Sequence, residues 1–291
     1  MKLKEFQQQV TPKLEEALRE PFQANDSRLR ESMYYALESG GKRLRPLLVL
    51  ALSQALGEIT ALSWQAACAI EYMHTYSLIH DDLPAMDNDD YRRGRLSVHK
   101  AYDEATAILA GDALQTIAFE ALSKPTDQLD RQLQLVQLLA TASGDSGMVE
   151  GQMKDIAAEH QTLTLDELKM LHRQKTGELI RFSVLAGAIS VKADEETLDL
   201  IQQFAEHYGL AYQIQNDLQE VLWDDEQRGK KQTSDQNLEK NTYPALLRVN
   251  GALEALKQER IACQDVLSHL KEHDPAVDTT LLSGFLDYLA I

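Results

Sequence analysis

The chain has 291 residues and a formal net charge of −17, from 46 acidic against 29 basic side chains. So acidic a balance argues against nucleic acid or an anionic membrane surface as a partner through bulk electrostatics. It leaves room for an anionic small substrate, because local cations and metal ions set the field of a pocket.

Leu, Ala, Glu and Gln dominate and no run of alternating β-branched residues occurs, so the fold class expected is all-α. With no linker or repeat, residues 1–291 read as a single domain, a bundle of roughly ten or more helices. In chain order, amphipathic patterns predict helices over Leu3 to Arg19 and Ser27 to Glu38, the second stopped by Gly40-Gly41. The next begins near Arg45-Pro46, with Pro early in the helix, and ends near Gly57. A long apolar helix covers Ala61 to Leu83. Further helices are expected over Val98 to Leu122, Asp127 to Ala142, Ser146 to Glu159, Leu165 to Ile189 and Glu195 to Leu222. The tail should hold helices over Tyr243 to Val249, Leu253 to His273 and Asp278 to Leu289. Ile180 to Ile189 and Leu210 to Ile214, apolar around much of their circumference, read as inner helices. Cys68 and Cys263 in helical contexts read as free buried thiols of a reducing compartment. With no apolar signal core at Met1 to Glu5 and no long uninterrupted apolar window, the expectation is a cytoplasmic protein without a membrane span.

The densest chemistry lies between His80 and Gly94. Asp81, Asp82, Asp87, Asp89 and Asp90 fall within ten positions, followed by Arg92 and Arg93. Carboxylate oxygens are the hard ligands Mg²⁺ prefers, and Mg²⁺ commonly shares itself with substrate phosphates. Arginine forks bind phosphate oxygens two at a time. Side by side, the two groups point to a metal-bridged diphosphate site. A solvated acidic loop is the bland alternative; the buried apolar helix leading into the cluster weighs against it. Asp81 and Asp87 would diverge on an ideal helix. Pro84 between them cannot donate a helical hydrogen bond, so the helix should end or distort there and let Asp87 turn back.

A second cluster occupies Gln213 to Glu220. Gln213, Asp217 and Glu220 recur at i, i+4 and i+7 and share a helix face, and Asn216 and Glu220 are also i, i+4 neighbours. An exposed polar face explains that spacing equally well. Lys42, Arg43, Arg45, Arg92, Arg93, Lys175, Lys230 and Lys231 are the scattered cations able to hold phosphate; singly, each reads as a surface charge. Lys42 to Pro46 follows two glycines, which lets backbone approach an anion closely.

Together these motifs resemble the trans-isoprenyl diphosphate synthases, or polyprenyl synthetases. The matching segments, in family order, are Gly40-Gly41-Lys42-Arg43-Leu44-Arg45-Pro46, the aspartate-rich Asp81 to Asp87, Arg92-Arg93-Gly94, Leu109-Ala110-Gly111-Asp112, Gly147 to Gln152, Lys175-Thr176-Gly177 and Thr242-Tyr243-Pro244. Seven ordered elements between about residues 38 and 248 make a specific signal. The resemblance implies an all-α bundle around a deep central cavity, usually a homodimer, that joins isopentenyl diphosphate to an allylic diphosphate with Mg²⁺, two or three ions. It implies metal binding by Asp81, Asp82 and Asp87 and, opposite, by Asn216, Asp217 and Glu220. Arg92, Lys175 and Lys230 would grip the allylic diphosphate, while Lys42, Arg45, His74 and Arg93 would grip isopentenyl diphosphate. Thr176 and Gln213 would line the reacting centre. By itself, His74 reads as a core histidine. Five positions before the first motif stands Tyr76, with Ser77 next. A bulky aromatic there resembles members that stop at the fifteen-carbon farnesyl product; a ten- or twenty-carbon product remains the alternative. The family's second motif usually reads Asp-Asp-x-x-Asp, and here it reads Asn216-Asp217-Leu218-Gln219-Glu220. That departure leaves open a weakly active or regulatory homologue, and otherwise implies a raised Mg²⁺ requirement.

Overall fold

A computed structural model describes residues 1–23, 27–159, 161–223 and 241–290. The described chain is almost wholly helical. Helix α1 spans Leu3–Arg19, α2 Arg28–Glu38, α3 Leu44–Leu56 and α4 Ala61–Asp81. After a two-stranded ribbon of β1 (Tyr91–Arg92) and β2 (Arg95–Leu96) come α5 (Val98–Ala101), α6 (Glu104–Leu122), α7 (Leu129–Ser143), α8 (Met148–Ala157) and α9 (Leu165–His172). A π-helical turn over Arg173–Gly177 joins α9 to α10 (Glu178–Ser190). Helices α11 (Glu195–Leu222), α12 (Tyr243–His273) and α13 (Thr279–Ser283), then a 3₁₀ segment over Gly284–Leu289, complete the fold.

Four inner helices carry the site. Helix α3 is buried along nearly its whole length, as are the upper half of α4 and most of α10. A Cβ on Gly187 would sit 2.5 Å from the Val49 carbonyl oxygen, so its absence lets α10 lie directly on α3. Tyr208, Ala211 and Ile214 bury the inner face of α11. Both segments expected to be inner helices are inner, although Leu210 and Ile189 are only half-buried. Both cysteines are free and buried, and burial pushes the Cys68 thiol up to about 12.

The predicted elements are recovered, with differences at the breaks. The helix expected over Val98 to Leu122 is broken at Tyr102, and Asp103 caps α6 by accepting from the Thr106 amide. The helix expected over Leu165 to Ile189 is interrupted by the π turn. The two tail helices lie within α12 as expected, parted by a kink at Arg248, where φ is 61° and ψ 166°. The ribbon at Tyr91 to Leu96 was not foreseen, since two residues per strand are too few for any periodicity to show. Helix α6 is long and apolar enough by length and composition to cross a bilayer, a test that core helices also pass. Here it packs against α4 and α2 and carries Asp112 near its middle.

One polar contact is built deep into this frame. Arg43 and Glu71 pair at 2.8 Å with both side chains almost fully enclosed, and Arg43 also holds Glu15 and the Leu37 carbonyl. Burial works against the Arg43 charge, and the two carboxylates overcome it and push its pKa up. Breaking a buried pair strands a charge in low dielectric. Glu71→Ala should therefore cost about 3–5 kcal/mol of folding stability, read by urea unfolding; a loss near zero would show that Glu15 alone satisfies Arg43.

Candidate active site

Helix α4 positions both poles of the site. His74 and Asp81 lie seven residues apart on one face, about 10 Å along the axis. The helix stops at Asp81 because Pro84 cannot continue the ladder. The Leu83 amide donates to His80 at 3.2 Å, the Met86 amide to Leu83 at 2.9 Å, and the Asp87 amide returns to the Asp81 carbonyl at 2.9 Å. The expected turn-back of Asp87 is thus present.

The carboxylate pole gathers around Asp81. Burial pushes its carboxyl up to about 6, with Asp87 and Asp82 adding to the shift and Lys175 and Arg92 opposing it. Asp82 is buried and accepts from Arg92 Nε at 2.8 Å; Arg92 also reaches Asp89 at 3.3 Å. Lys175 stands in the π turn and bonds Asp155 of α8 at 2.5 Å. Burial opposes its charge, while Asp155, Asp81 and Asp87 raise its pKa. Thr176 is half-buried beside it. Lys175, Arg92 and the first aspartate cluster are therefore brought together.

The cation pole lies toward the N-terminal end of α4. Gly40 and Gly41 take φ values of +77° and +123°, and Arg43 enters α3 at +46°. Gly41 also leaves room for the Arg93 guanidinium: a Cβ there would fall 2.6 Å from Arg93 Cζ and push that side chain aside. Arg93 donates to the Gly40 carbonyl. Arg45 is buried, with one guanidinium nitrogen 3.2 Å from His74 Nε2 and with its Nε unpartnered. Burial drives His74 well below the usual histidine range, helped by Arg45, Arg93, Arg92 and Arg43, so its imidazole is neutral. Arg45 and Arg93 are themselves pushed down, chiefly by burial. Guanidiniums this crowded, with Glu71 the anion acting on both, describe an anion site. Lys42 is exposed on the loop leading in.

On α11 the second cluster divides. Asp217 is buried: Oδ1 accepts from Gln213 at 3.1 Å, while Oδ2 accepts from the Tyr243 amide at 2.9 Å and faces His172 Nε2 at 3.2 Å. Asp217 thus ties α9, α11 and the start of α12. Asn216 is half-buried and Glu220 exposed. Lys230 lies outside the described residues. Tyr76 is 9 % exposed and packs edge-on to His80, ring centres 5.0 Å apart. His80 in turn meets the Ile108 carbonyl on α6 at 3.0 Å. Glu71, Asp155 and His172 escaped the sequence analysis, and Tyr243 entered it only as part of the Thr242-Tyr243-Pro244 motif, with no role assigned. Of the three missed, only Asp155 left a trace, standing four residues after Gly151 of a quoted motif.

Among the described residues no three carboxylate, imidazole or thiol groups converge tightly enough to hold a metal unaided. Hard oxygens short of cationic charge nonetheless suit Mg²⁺ that completes its shell with water and phosphate.

The polyprenyl synthetase family model matches residues 26–279. The chain is 46% identical to farnesyl diphosphate synthase of Geobacillus stearothermophilus over 267 residues, covering 91% of this chain and 88% of that one. It is 44% identical to farnesyl diphosphate synthase of Escherichia coli, covering 92% and 90%. The fold matches a Helicobacter pylori geranyltransferase crystallised with magnesium and isoprenyl diphosphate, with a TM-score of 0.89, 33% identity, and 99% and 97% coverage. A bundle that sets a cation pole and a carboxylate pole on one helix, matched in sequence over nine-tenths of its length, belongs to the polyprenyl synthetase family.

Proposed function

We propose that this chain condenses isopentenyl diphosphate with dimethylallyl diphosphate to geranyl diphosphate, and a second isopentenyl diphosphate with geranyl diphosphate to farnesyl diphosphate, releasing one inorganic diphosphate at each step. The observation that carries the reading is the pair of oppositely charged poles along α4, His74 beside Arg45 and Asp81 beside Arg92 and Lys175, about 10 Å apart along the axis. Arg45, Arg93, the neutral His74 and Lys42 hold isopentenyl diphosphate by its phosphates. Arg92, Lys175 and Lys230 hold the allylic diphosphate beside the carboxylates. Asp81, Asp82 and Asp87 and, on α11, Asn216, Asp217 and Glu220 would hold Mg²⁺, two or three ions, which would supply positive charge to neutralise the leaving diphosphate. Asp82 and Asp217 already serve protein partners, so they also hold Arg92 and the start of α12 in place. The allylic carbon–oxygen bond breaks with its electron pair leaving on diphosphate. The π-bond of isopentenyl diphosphate closes on the cation, and a proton is lost. Thr176 and Gln213 line the reacting centre, and the apolar walls of α4 and α10 keep water from the cation. Tyr76 floors the tail pocket by simple steric exclusion.

The partner we assign is a second copy of this chain. Ile108 and Leu109 of α6 and Leu129 and Leu133 of α7 are 44–67% exposed, an apolar surface that fits a homodimer face.

Three outcomes test the reading. With Mg²⁺, labelled isopentenyl diphosphate and geranyl diphosphate, the purified protein should make a fifteen-carbon product, and Tyr76→Ala should shift it to longer chains; a parent product of twenty carbons would discard the Tyr76 argument. A neutral amide oxygen binds Mg²⁺ more weakly than a carboxylate, so Asn216→Asp should reach half-maximal rate at lower Mg²⁺. An unchanged requirement would show that position 216 does not touch the metal. Asp81 has a folded pKa raised to about 6, so its charge opposes folding increasingly as pH climbs from about 4 to 6 and fully above that. Asp81→Asn should abolish turnover yet stabilise the metal-free protein at pH 7 by about 1–2 kcal/mol, discounted for partial exposure, with little gain at pH 4. A less stable variant at pH 7 would contradict the burial argument.

A further inference from the structure

We propose that Asp155 is a positioning residue that holds the Lys175 ammonium at the edge of the carboxylate pole, ready for the allylic diphosphate. The inference rests on the prenyl-transfer reading above and deepens it.

The geometry comes from one face of α8. Gly151 and Asp155 are i and i+4, so they stand one turn apart on the same side. A Cβ on Gly151 would lie 2.2 Å from the Lys175 backbone nitrogen and 2.6 Å from its Cα. The glycine therefore lets α8 rest directly on the π turn, which places Asp155 Oδ2 2.5 Å from Lys175 Nζ. The neighbouring contact has the same form: Lys154 donates to Gln174 at 2.7 Å, and Gln174 donates to the Ser146 carbonyl at 3.2 Å. The π turn is thus held from α8 at Gln174 as well as at Lys175. Single π turns inside helices concentrate at functional positions.

The pair is poorly placed to serve stability alone. Lys175 is 26% and Asp155 42% exposed, and ion pairs this open contribute little to folding. Lys175 also feels Asp81 and Asp87 at the end of α4. Without Asp155 the flexible four-carbon arm would be drawn onto those aspartates, where metal is to bind. Asp155 gives the ammonium a second anchor on the outer side and keeps it off the metal ligands.

The test combines Asp155→Asn, Asp155→Glu, Lys175→Gln and the Asp155→Asn/Lys175→Gln double variant. Asp155→Asn should lower kcat/KM for geranyl diphosphate roughly tenfold, the loss of one charge-assisted hydrogen bond, while KM for isopentenyl diphosphate stays unchanged. Asp155→Glu should recover part of the loss. The double variant should be no worse than Lys175→Gln, because the two residues act as one unit. An unaffected Asp155→Asn enzyme, or losses that multiply in the double variant, would overturn the assignment, as would a matching rise in KM for isopentenyl diphosphate. Calorimetric binding of inorganic diphosphate with Mg²⁺ to the same four variants gives a readout independent of turnover. Weaker binding by Asp155→Asn only when Lys175 is present supports the assignment, and equal binding overturns it. A parent protein that binds diphosphate yet makes no prenyl product would defeat the reaction reading, with calorimetry still deciding Asp155.

Discussion

The cost of enclosing like charges governs this molecule. Helix α4 carries His74 at a pole of guanidiniums and Asp81 at a pole of carboxylates, both within a bundle of apolar inner helices. Taken out of water, neither set is stable by itself. His74 answers by staying neutral, and Asp81 by a carboxyl pushed up to about 6. The remaining charges are met by partners: Glu71 and Glu15 for Arg43, Asp82 for Arg92, Asp155 for Lys175. What is left over defines the ligand. Arg45 keeps an unpartnered buried Nε on one side, and Asp81 and Asp87 remain short of cationic charge on the other.

The backbone is irregular where these charges need direction. Left-handed residues at Gly40, Gly41 and Arg43 open the slot that Arg93 fills. The end of α4 at Asp81 folds Asp87 back, and the π turn swings Lys175 toward α8. Regular helix would have pointed each of these groups elsewhere. Local departures from ideal geometry persist when surrounding packing over-determines them, and here α3, α8 and α10 supply that packing.

Some of this was legible in residue order and some was not. Helix extents followed from apolar periodicity and from glycine and proline breaks, so α1 and α11 fell where expected. The break at Tyr102 did not, because Val98, Ala101, Tyr102 and Ala105 keep a helical spacing across it, and the polar π turn over Arg173–Gly177 did not, because only hydrogen-bond register distinguishes it from α-helix. Spacing also showed that Gln213, Asp217 and Glu220 share a helical face. It could not show that Asp217 is turned inward onto Tyr243 and His172 while Glu220 is exposed, since that depends on which helices flank α11.

The amino-acid order by itself determined the helical class, the two acidic clusters, the glycine-arginine loop and the ordered motifs that place the chain in its family. These are local or short-range signals, readable from spacing along one element. The tertiary structure alone decided which charges face each other: Arg45 against His74, Glu71 beneath Arg43, and Asp155 beside Lys175. Those pairings join residues from 20 to 29 positions apart. Their strengths depend on burial and dielectric, quantities that exist only once the helices have packed.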